Sequence, residues 1–309
     1  MIALTAAGCW PGPVILAAET TLEGREIASP TPDRAAVTIH PLRTADLDGA
    51  LAANDAVGWR GRRLLFDFYR ARDDSALFVA EVGGEIAGTA GATVFPGVPP
   101  TGWVHGIVVR PEYQRIGLGA CLTEASIAWL RARSAGTVLL LATEAGRPVY
   151  ERLGFTAGQR YGSFAWPTME RDPGAPTLPL RAEHLAAVLA LDREATGEDR
   201  GTFIKSLATS GWVATRGGEV SGFHLACPWG GGPTIARDVA SGLALLGLAG
   251  SVDRRPSRGP GLPEANQAAV QYLAGVGITP ERYVTRMWLG APPQWRAEMV
   301  FGVFNFGVA

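Results

Sequence analysis

The sequence predicts an α/β protein with mixed sheets (α+β), built as two copies of one plan. Three observations support this prediction. A strand-like segment, residues 103–109, runs through a glycine-rich turn into a helix-like segment, residues 121–133. An apolar hairpin pattern occurs twice, and so does a strand that leads into an amphipathic helix. Strand and helix patterns that alternate in this way are typical of α/β domains.

Length and composition limit the classes of protein that fit. The chain has 309 residues, which is enough for two domains of ordinary size. Its content of 47% hydrophobic and 18% charged residues predicts a globular protein with a substantial core. The net charge of −1 gives no electrostatic reason to expect nucleic acid or an anionic membrane as a partner. No run of about 18 apolar residues occurs, so we predict no membrane span.

The cysteines and the N-terminal stretch bear on location. Cys9, Cys121 and Cys227 lie far apart, with no Cys-x-x-Cys pair and no histidine cluster. This pattern argues against a disulfide framework and against a metal site, and it favours the cytoplasm. The apolar start of the chain lacks a basic segment and is broken by glycine and proline. Residues 1–36 are therefore expected to form a flexible extension.

The chain repeats itself in order. Residues 78–88 match residues 212–222 at an offset of 134, and both read as an apolar hairpin with a Gly-Gly-Glu turn. Pro41-Leu42-Arg43 recurs at residues 179–181, an offset of 138. Gly154-Phe155 corresponds to Gly277-Ile278, an offset of 123. A single hairpin of this kind is common in proteins. Three matching segments in the same order along the chain nevertheless indicate duplication.

The two copies differ where chemistry is expected. The second copy has no glycine-rich turn, and Leu273 stands at the position aligned with Tyr150. We therefore predict a catalytic domain over residues 37–165, a linker over 166–178, and a degenerate copy with a C-terminal tail over 179–309. The final strand of the second copy is expected at residues 283–289.

The glycine-rich turn, Gln-Arg-Ile-Gly-Leu-Gly-Ala at residues 114–120, is the most specific signal. A turn that enters a helix leaves backbone N–H groups unpaired at the positive end of the helix dipole. Glycines at 117 and 119 let the backbone approach an anion closely, so the turn suits a pyrophosphate. It is neither a P-loop nor a dinucleotide fingerprint, because the lysine and the third glycine of those motifs are missing.

This turn follows a hydrophobic strand and an x-Pro-x-Tyr step, and residues 146–155 form a short helical segment that bears a tyrosine and ends in Gly-Phe. Together the two motifs resemble those of the GNAT superfamily of N-acetyltransferases. The resemblance covers about residues 37–165 and, more weakly, a truncated second repeat. It implies direct transfer of an acetyl group from acetyl-CoA to a primary amine of a small molecule, with no metal. A homodimer is left open.

The resemblance also implies which residues bind acetyl-CoA. The backbone of a splayed strand would hold the pantetheine arm and the acetyl carbonyl, and the turn would hold the pyrophosphate. Arg115 is alternatively a solvated surface side chain, and Thr143 stands where many relatives have asparagine. The implied set is Ile107, Val108, Val109, Gln114, Arg115, Ile116, Gly117, Leu118, Gly119, Ala120 and Thr143.

Two residues are candidates for catalysis. Tyr150 stands at the general-acid position of the family and would protonate the leaving thiolate; the alternative is a packed helix tyrosine. The strand position that carries a glutamate in some relatives aligns with Trp103. His105, two residues along the same face, is the candidate base, with water or a carboxylate such as Glu81 as alternatives.

Other interpretations remain open at this stage. The chain is alternatively a non-catalytic acyl-CoA-binding or regulatory module, or a GNAT-fold enzyme of different CoA chemistry. Arginines and aromatic residues alternate over residues 59–70, which predicts either a wall for a carboxylate-bearing amine or a solvated helix face over an aromatic core. The charged residues of segments 192–194 and 198–200 are interpreted as surface charge rather than as acceptor ligands.

Overall fold

The computed structural model describes residues 14–16, 37–166, 175–252 and 259–308. Residues 1–13 and 17–36 of the predicted extension, and residues 167–174 of the predicted linker, lie outside the described residues. The chain divides into two compact units. Unit 1 comprises Met1–Thr93 and Gly106–Ala132, and unit 2 comprises Val94–His105 and Arg133–Ala309.

Strands and helices alternate as expected for an α/β chain. The strands are β1 (Val14–Leu16), β2 (Val37–Pro41), β3 (Ser75–Val82), β4 (Glu85–Phe95), β5 (Thr101–Val109), β6 (Thr137–Ala142), β7 (Thr156–Ser163), β8 (Thr177–Pro179), β9 (Gly211–Arg216), β10 (Glu219–Leu225), β11 (Thr234–Ala236), β12 (Gly261–Pro263), β13 (Arg282–Gly290) and β14 (Val300–Gly302). The helices are α1 (Leu47–Ala56), α2 (Arg63–Arg70), α3 (Leu118–Arg131), α4 (Arg147–Arg152), α5 (Leu185–Thr196), α6 (Gly201–Leu207), α7 (Val239–Val252) and α8 (Gln267–Gly275). Among the described residues, no helix combines the length and the apolar content needed to cross a bilayer.

Unit 1 is built on strands β1 to β4, which neighbour one another in chain order. β1 runs parallel to β2, whereas β2, β3 and β4 pair antiparallel. Alternate side chains of β2 enter the core, and Val37 and Ile39 are each 1% exposed. Leu47 of α1 and Phe66 of α2 pack on Val79 of β3. The period-two pattern of the strands therefore meets the apolar faces of two helices.

The two predicted hairpins are confirmed. β3 and β4 are joined at Gly83 (φ 59°) and Gly84 (φ 86°), and β9 and β10 at Gly217 (φ 60°) and Gly218 (φ 87°). Two consecutive left-handed residues form the turn whose twist matches paired strands, and glycine adopts that conformation without steric cost. The repeated Gly-Gly dipeptide therefore specifies the same turn twice.

The predicted Gly-Phe and Gly-Ile corners also share one geometry. Gly154 and Gly277 have φ angles of 87° and 78°. The N–H of the residue after each glycine donates back to a helix carbonyl, that of Tyr150 at 3.0 Å and that of Leu273 at 2.9 Å. The left-handed glycine thus closes α4 and α8 in the same way. This equivalence supports the duplication inferred from the sequence.

The predicted final strand is present as β13, and its partners come from the first half of the chain. Within unit 2, β13 lies between β6 and β7 and pairs antiparallel with both. β12, also from the second half, pairs antiparallel with β7, and the other strands of that half form a separate antiparallel sheet in the order β14, β11, β10, β9, β8. A strand encoded in the second half therefore completes the sheet around β6 and β7.

Helix α7 lines the second sheet. Its sequence contains no charged residue, and Leu245 and Leu246 are both fully buried. A helix that is apolar on every side is stable only where other elements cover it. Leu246 packs in one cluster with Phe301 of β14, and Leu245 packs in another with Ala214 of β9.

Gly88→Ala is expected to destabilise the protein by about 1–3 kcal/mol, because the new methyl group overpacks the interior. Gly88 lies in β4, and a Cβ there would be 2.5 Å from the carbonyl oxygen of Val108 and 3.1 Å from Leu122 Cδ1. The backbone of β5 would have to move away. Chemical denaturation of the purified variant measures the loss.

Gly247→Ala is the matched control. Gly247 lies in α7, and nothing is within 4 Å of a Cβ placed there. Alanine inside a helix stabilises by about 0.5–1 kcal/mol relative to glycine. A free energy of unfolding for Gly88→Ala equal to or above that of the wild type would contradict the close approach of β4 to β5.

Candidate functional site

The predicted phosphate turn lies in unit 1 and leads directly into α3. Gly117 is the residue before the helix and has a φ of 98°, in the left-handed region. Arg115 also has a positive φ, 65°. A non-glycine residue in this region costs roughly 1–2 kcal/mol, and such outliers concentrate at functional sites. The turn is therefore held in a shape that its own sequence does not favour at Arg115.

Backbone donors are available at this turn. The N–H groups of Ala120 and Cys121 both donate to the carbonyl of Gly117, at 3.0 and 3.2 Å. The first N–H groups of a helix have no partner within that helix, and here they belong to Leu118 and Gly119. The N–H groups of Leu118 and Gly119 lie at the positive end of the α3 dipole, where an anion is favoured. The side chain of Arg115 is exposed beside them.

Side chains fasten the turn on both sides. Gln114 Nε2 donates to the carbonyl oxygen of Val109 at 2.9 Å. Thr123 Oγ1 donates to the carbonyl of Gly119 at 2.7 Å. Leu118 is 1% exposed and anchors the first turn of α3 in the core. Gln114, although exposed, therefore ties the turn to the end of β5.

Strand β5 is irregular just before the segment predicted to bind the pantetheine arm. Gly106 has a φ of 62°, which no regular strand residue adopts. Its carbonyl accepts a hydrogen bond from Thr89 Oγ1 at 3.0 Å, and Asn54 Nδ2 donates to that hydroxyl at 3.2 Å. Two side chains, Asn54 and Thr89, thus hold the carbonyl of Gly106 through consecutive hydrogen bonds. The irregularity precedes Ile107 and Val108, and whether the strand is splayed there stays a prediction.

The aromatic and basic residues of segment 59–70 lie mainly on a solvated helix face over an apolar core. Phe66 and Tyr69 of α2 are buried. Arg63 pairs with Asp67 one helical turn on, at 2.8 Å, and both side chains are about half exposed. Arg62 stacks over the ring of Trp59 at 4.8 Å. This arrangement agrees with the second of the two interpretations.

Tyr150 lies in unit 2, in α4, and is 9% exposed. Burial raises the pKa of its phenol to about 12, so the hydroxyl keeps its proton at neutral pH. A Cβ at Gly146 would lie 3.1 Å from Tyr150 Cε2 and 3.3 Å from Thr143 Oγ1, so glycine leaves room beside both groups. Thr143 Oγ1 already accepts from the N–H of Gly146 at 3.2 Å.

His105 also lies in unit 2 and is 6% exposed. Burial lowers the pKa of its imidazole to about 3. A Cβ at Gly307 would lie 2.9 Å from Cβ of His105, so the C-terminal tail packs closely against this residue. The imidazole is neutral at physiological pH, but a ring that protonates only near pH 3 is a weak base. Its assignment as the general base stays a prediction.

Glu81, the alternative carboxylate, lies in unit 1. Its Oε2 is 3.2 Å from His40 Nε2 and 3.4 Å from Arg43 Nη2. Arg43 is also bound by Asp46, which accepts from Nε at 2.9 Å. Glu81 therefore belongs to an ion-pair network with His40, Arg43 and Asp46, just before α1.

The interpretation of segments 192–194 and 198–200 as surface charge is wrong for three residues. Arg200 Nη2 and Nε donate to the two oxygens of Asp192 at 2.6 and 3.0 Å, and both side chains are 2% exposed. Glu198 is 4% exposed. Arg193 and Asp199 do form an exposed ion pair. No local sequence signal separates the buried charges from the exposed ones, because their burial depends on distant segments.

Glu198 belongs to a buried polar cluster that sequence reasoning missed. Its Oε1 accepts from Trp103 Nε1 at 2.8 Å, across 95 positions of sequence. Arg286 of β13 is 3% exposed, and its Nη1 donates to Tyr161 Oη at 3.4 Å. The Arg286 guanidinium lies over the ring of Trp295 at 4.2 Å and that of Trp103 at 5.3 Å. We call Glu198, Arg286, Trp103 and Tyr161 the buried polar cluster, beside which Trp295 lies half-buried.

In the second copy, the helix that corresponds to α3 has its first turn occupied by the protein itself. Asp238 precedes α7, and its carboxylate accepts from the backbone N–H of Ser241 at 3.0 Å and from the Ser241 hydroxyl at 2.9 Å. An aspartate at a helix start satisfies the donors that a phosphate would otherwise take. This feature agrees with the predicted loss of the cofactor site in the second copy.

The structure therefore groups the predicted site residues by unit. Unit 1 brings the turn, residues 114–120, together with the end of β5, residues 107–109, through the contact of Gln114 with Val109. Unit 2 holds Thr143 beside Tyr150, and it holds His105 under the C-terminal tail.

Mixed sheets, a glycine-rich turn at a helix start and a repeated hairpin plan are the features that the resemblance to the GNAT acetyltransferases predicts. Residues 50–155 match the model described as the acetyltransferase (GNAT) family, and residues 188–302 match that described as an acetyltransferase (GNAT) domain. The chain belongs to the GNAT family and carries two GNAT domains in tandem. The matched ranges fall within the two copies predicted from the sequence.

Comparison with individual proteins agrees with this assignment. The chain is 39% identical to the mycothiol acetyltransferase of Thermomonospora curvata over 87 residues, which is 27% of this chain and 29% of that protein. It is 30% identical to the uncharacterized N-acetyltransferase YitH of Bacillus subtilis over 132 residues, 42% of this chain and 45% of the relative. The matched region thus spans less than half the length of either relative.

A solved structure shares the fold over most of the chain. It is a Pyrococcus horikoshii protein provisionally described as an acetyltransferase, with a TM-score of 0.74 and 18% sequence identity. The match covers 93% of this chain and 100% of that protein. At this identity the likeness supports the fold alone.

Proposed function

We propose that this protein is an acyl-CoA-dependent N-acyltransferase that transfers acetyl from acetyl-CoA to a primary amine of a small molecule by direct attack. The observation that supports it most strongly is the left-handed Gly117 at the start of α3, beside the unpaired first N–H groups of that helix. Acetyl-CoA supplies the activated acetyl group and a pyrophosphate that suits these donors.

The residues present fit such a co-substrate. Backbone N–H groups of Leu118 and Gly119 would bind the pyrophosphate, and the exposed Arg115 would add a charge-assisted hydrogen bond. The backbone of residues 107–109 would hold the pantetheine arm and donate to the oxyanion that forms when the amine attacks. Thr143 would add a side-chain contact. The carbonyl of Val109 is engaged by Gln114, so Val109 would contribute through its N–H.

Tyr150 would act on the leaving group. A buried phenol with a pKa of about 12 is fully protonated at neutral pH and can donate a hydrogen bond or a proton to the departing thiolate. The raised pKa makes complete proton transfer less favourable than for a free phenol, so hydrogen bonding to the developing negative charge would carry much of the effect.

A second function is favoured by one observation. His105 has its pKa lowered to about 3, which weakens the base that the sequence suggests for deprotonating the amine. A protein with an intact pyrophosphate turn and no effective base would be an acyl-CoA-binding module without turnover.

Calorimetric titration of the full chain with acetyl-CoA, followed by thiol release against a panel of amines, tests both. Binding with thiol release is the expected result. Binding with no release for any amine would favour the binding module, and absence of binding would overturn both.

Tyr150→Phe is expected to lower kcat by about 10- to 1000-fold while the Kd for acetyl-CoA stays unchanged. The substitution removes only the hydroxyl, and the ring keeps its edge contact with Phe155, whose centroid is 6.1 Å away. Steady-state thiol release and calorimetry measure the two quantities. Tyr283→Phe is the control, because it removes the same hydroxyl group from a tyrosine of β13 whose ring lies under Arg160. Equal turnover in both variants would mean that another group, or water, protonates the thiolate.

A further inference from the structure

Two buried side chains of unit 1 hold one peptide of β5 through consecutive hydrogen bonds. Asn54 Nδ2 donates to the backbone carbonyl of Ala50 at 2.9 Å and to Thr89 Oγ1 at 3.2 Å. Thr89 Oγ1 donates in turn to the carbonyl of Gly106 at 3.0 Å. Asn54 and Thr89 are each 2% exposed. We call Asn54 and Thr89 the buried relay.

The direction of each hydrogen bond in the buried relay follows from the groups that make it. A side-chain amide has two N–H hydrogens and a hydroxyl has one, whereas a carbonyl only accepts. Asn54 therefore gives one hydrogen to Ala50 and one to Thr89. The single hydroxyl hydrogen of Thr89 is left for Gly106. The relay thus runs in one direction, from helix α1 to β5.

The residue that receives this hydrogen bond does not fix its own peptide. Gly106 has a φ of 62°, and glycine adopts left-handed and right-handed conformations with similar ease. A Cβ at this position would meet nothing within 4 Å, so no neighbouring atom presses on the residue. The direction of the Gly106 carbonyl is therefore set by the hydrogen bond from Thr89.

The same peptide carries the N–H group of Ile107. A trans peptide is planar, and its C=O and N–H bonds point in opposite directions. Because Thr89 of β4 holds the Gly106 carbonyl, the N–H of Ile107 points away from β4. Gly106 and Ile107 are both partly exposed, in contrast to the buried relay. The relay therefore directs a backbone donor of a partly exposed residue.

The end of β5 agrees with this direction. The N–H of Arg110, the residue after β5, donates to the carbonyl of Ala87 in β4 at 2.9 Å. Alternate residues of a paired strand face the partner strand, so the backbone groups of Ile107 and Val109 face the opposite edge. The Val109 carbonyl accepts from Gln114 of the glycine-rich turn. The Ile107 N–H and this turn therefore share one edge of β5.

We propose that Asn54 and Thr89 are positioning residues for the co-substrate. They direct the N–H of Ile107 toward the pantetheine arm and the acetyl carbonyl of acetyl-CoA, while the turn at residues 114–120 holds the pyrophosphate. Both act through the backbone of β5, because both side chains are buried. This inference rests on the proposed function, which assigns the backbone of residues 107–109 to that arm.

Thr89→Val is expected to weaken binding of CoA to the full chain by about 5- to 30-fold, which corresponds to the loss of one hydrogen bond. Valine keeps the shape of threonine and removes the hydroxyl, so the peptide after Gly106 loses its fixed direction. Binding of the 3′-phosphorylated ADP that remains when the pantetheine arm of CoA is removed is expected to stay unchanged, because the turn is not altered. Calorimetry measures both affinities.

Two further variants of β4 separate positioning from packing. Thr89→Ser restores the hydroxyl and is expected to bind CoA as the wild type does. Thr93→Val makes the same change further along β4, at a fully buried side chain whose hydroxyl pairs with Ser75 Oγ at 2.9 Å. This control is expected to lose stability and to keep its affinity for CoA. Thermal melting checks that each variant is folded.

Unchanged CoA affinity in a folded Thr89→Val protein would overturn the inference. An equal loss of affinity in Thr93→Val, or for the nucleotide without the arm, would also overturn it, since either result means a general disturbance of unit 1. If Thr89→Val does not fold, Asn54→Ala decides. Alanine favours helix α1, and removal of the anchor is expected to weaken CoA binding, so unchanged affinity there would contradict the inference. A wild-type protein that binds no CoA would overturn the proposed function itself.

Discussion

Gly117→Asp is expected to weaken acetyl-CoA binding by at least about 100-fold, whereas Gly117→Asn is expected to retain most of it. The two side chains have nearly the same shape, and both tolerate the left-handed backbone that Gly117 adopts at a φ of 98°. Both variants therefore pay a similar conformational cost. They differ in one negative charge at the start of α3, where the proposed pyrophosphate would lie.

Calorimetry with acetyl-CoA measures this difference, and circular dichroism melting checks that both variants are folded. The Asp/Asn comparison isolates charge from bulk and from strain. Tight binding by a folded Gly117→Asp protein would show that the pyrophosphate is held elsewhere. Equal weakening in both variants would mean that shape at Gly117, rather than anion binding, is what the turn requires.

Glu198→Gln is expected to raise the free energy of unfolding by about 3 kcal/mol at pH 8 and by little at pH 4. Burial raises the pKa of the Glu198 carboxyl from 4.5 to about 7, so the folded state holds this proton more tightly than the unfolded state does. The stabilisation from the protonated form is complete below about pH 4.5. It is lost as pH rises through 7, because the folded protein must then bury a charge.

Urea denaturation at several pH values between 4 and 8 measures this effect. The wild-type stability should fall over that window by more than the Glu198→Gln stability does. Glu183→Gln, at an exposed carboxylate, should follow the wild-type curve. Parallel curves for wild type and Glu198→Gln would mean that the carboxyl ionises normally in the folded state, as it would if solvent entered the buried polar cluster.

Features that depend on neighbouring residues could be predicted from the sequence. The Gly-Gly turns of both hairpins and the left-handed Gly154 and Gly277 follow from the backbone freedom of glycine. The turn at residues 114–120 was predicted because its glycines and the following apolar helix are adjacent. The repeat and the family assignment rest on such local motifs, which is why both agree with the structure and with the family comparisons.

The fold class, the duplication and the position of the glycine-rich turn could therefore be predicted from the sequence. The strand that completes the sheet around β6 and β7, and the identity of the buried charged residues, depend on the tertiary structure. β13 pairs with strands more than a hundred residues earlier, and Glu198 finds Trp103 across 95 positions. Pairing between distant strands leaves no pattern in the local sequence. A buried charged residue has the same local sequence features as an exposed one, because its burial depends on distant partners. The burial that lowers the pKa of His105 and raises that of Glu198 has the same origin.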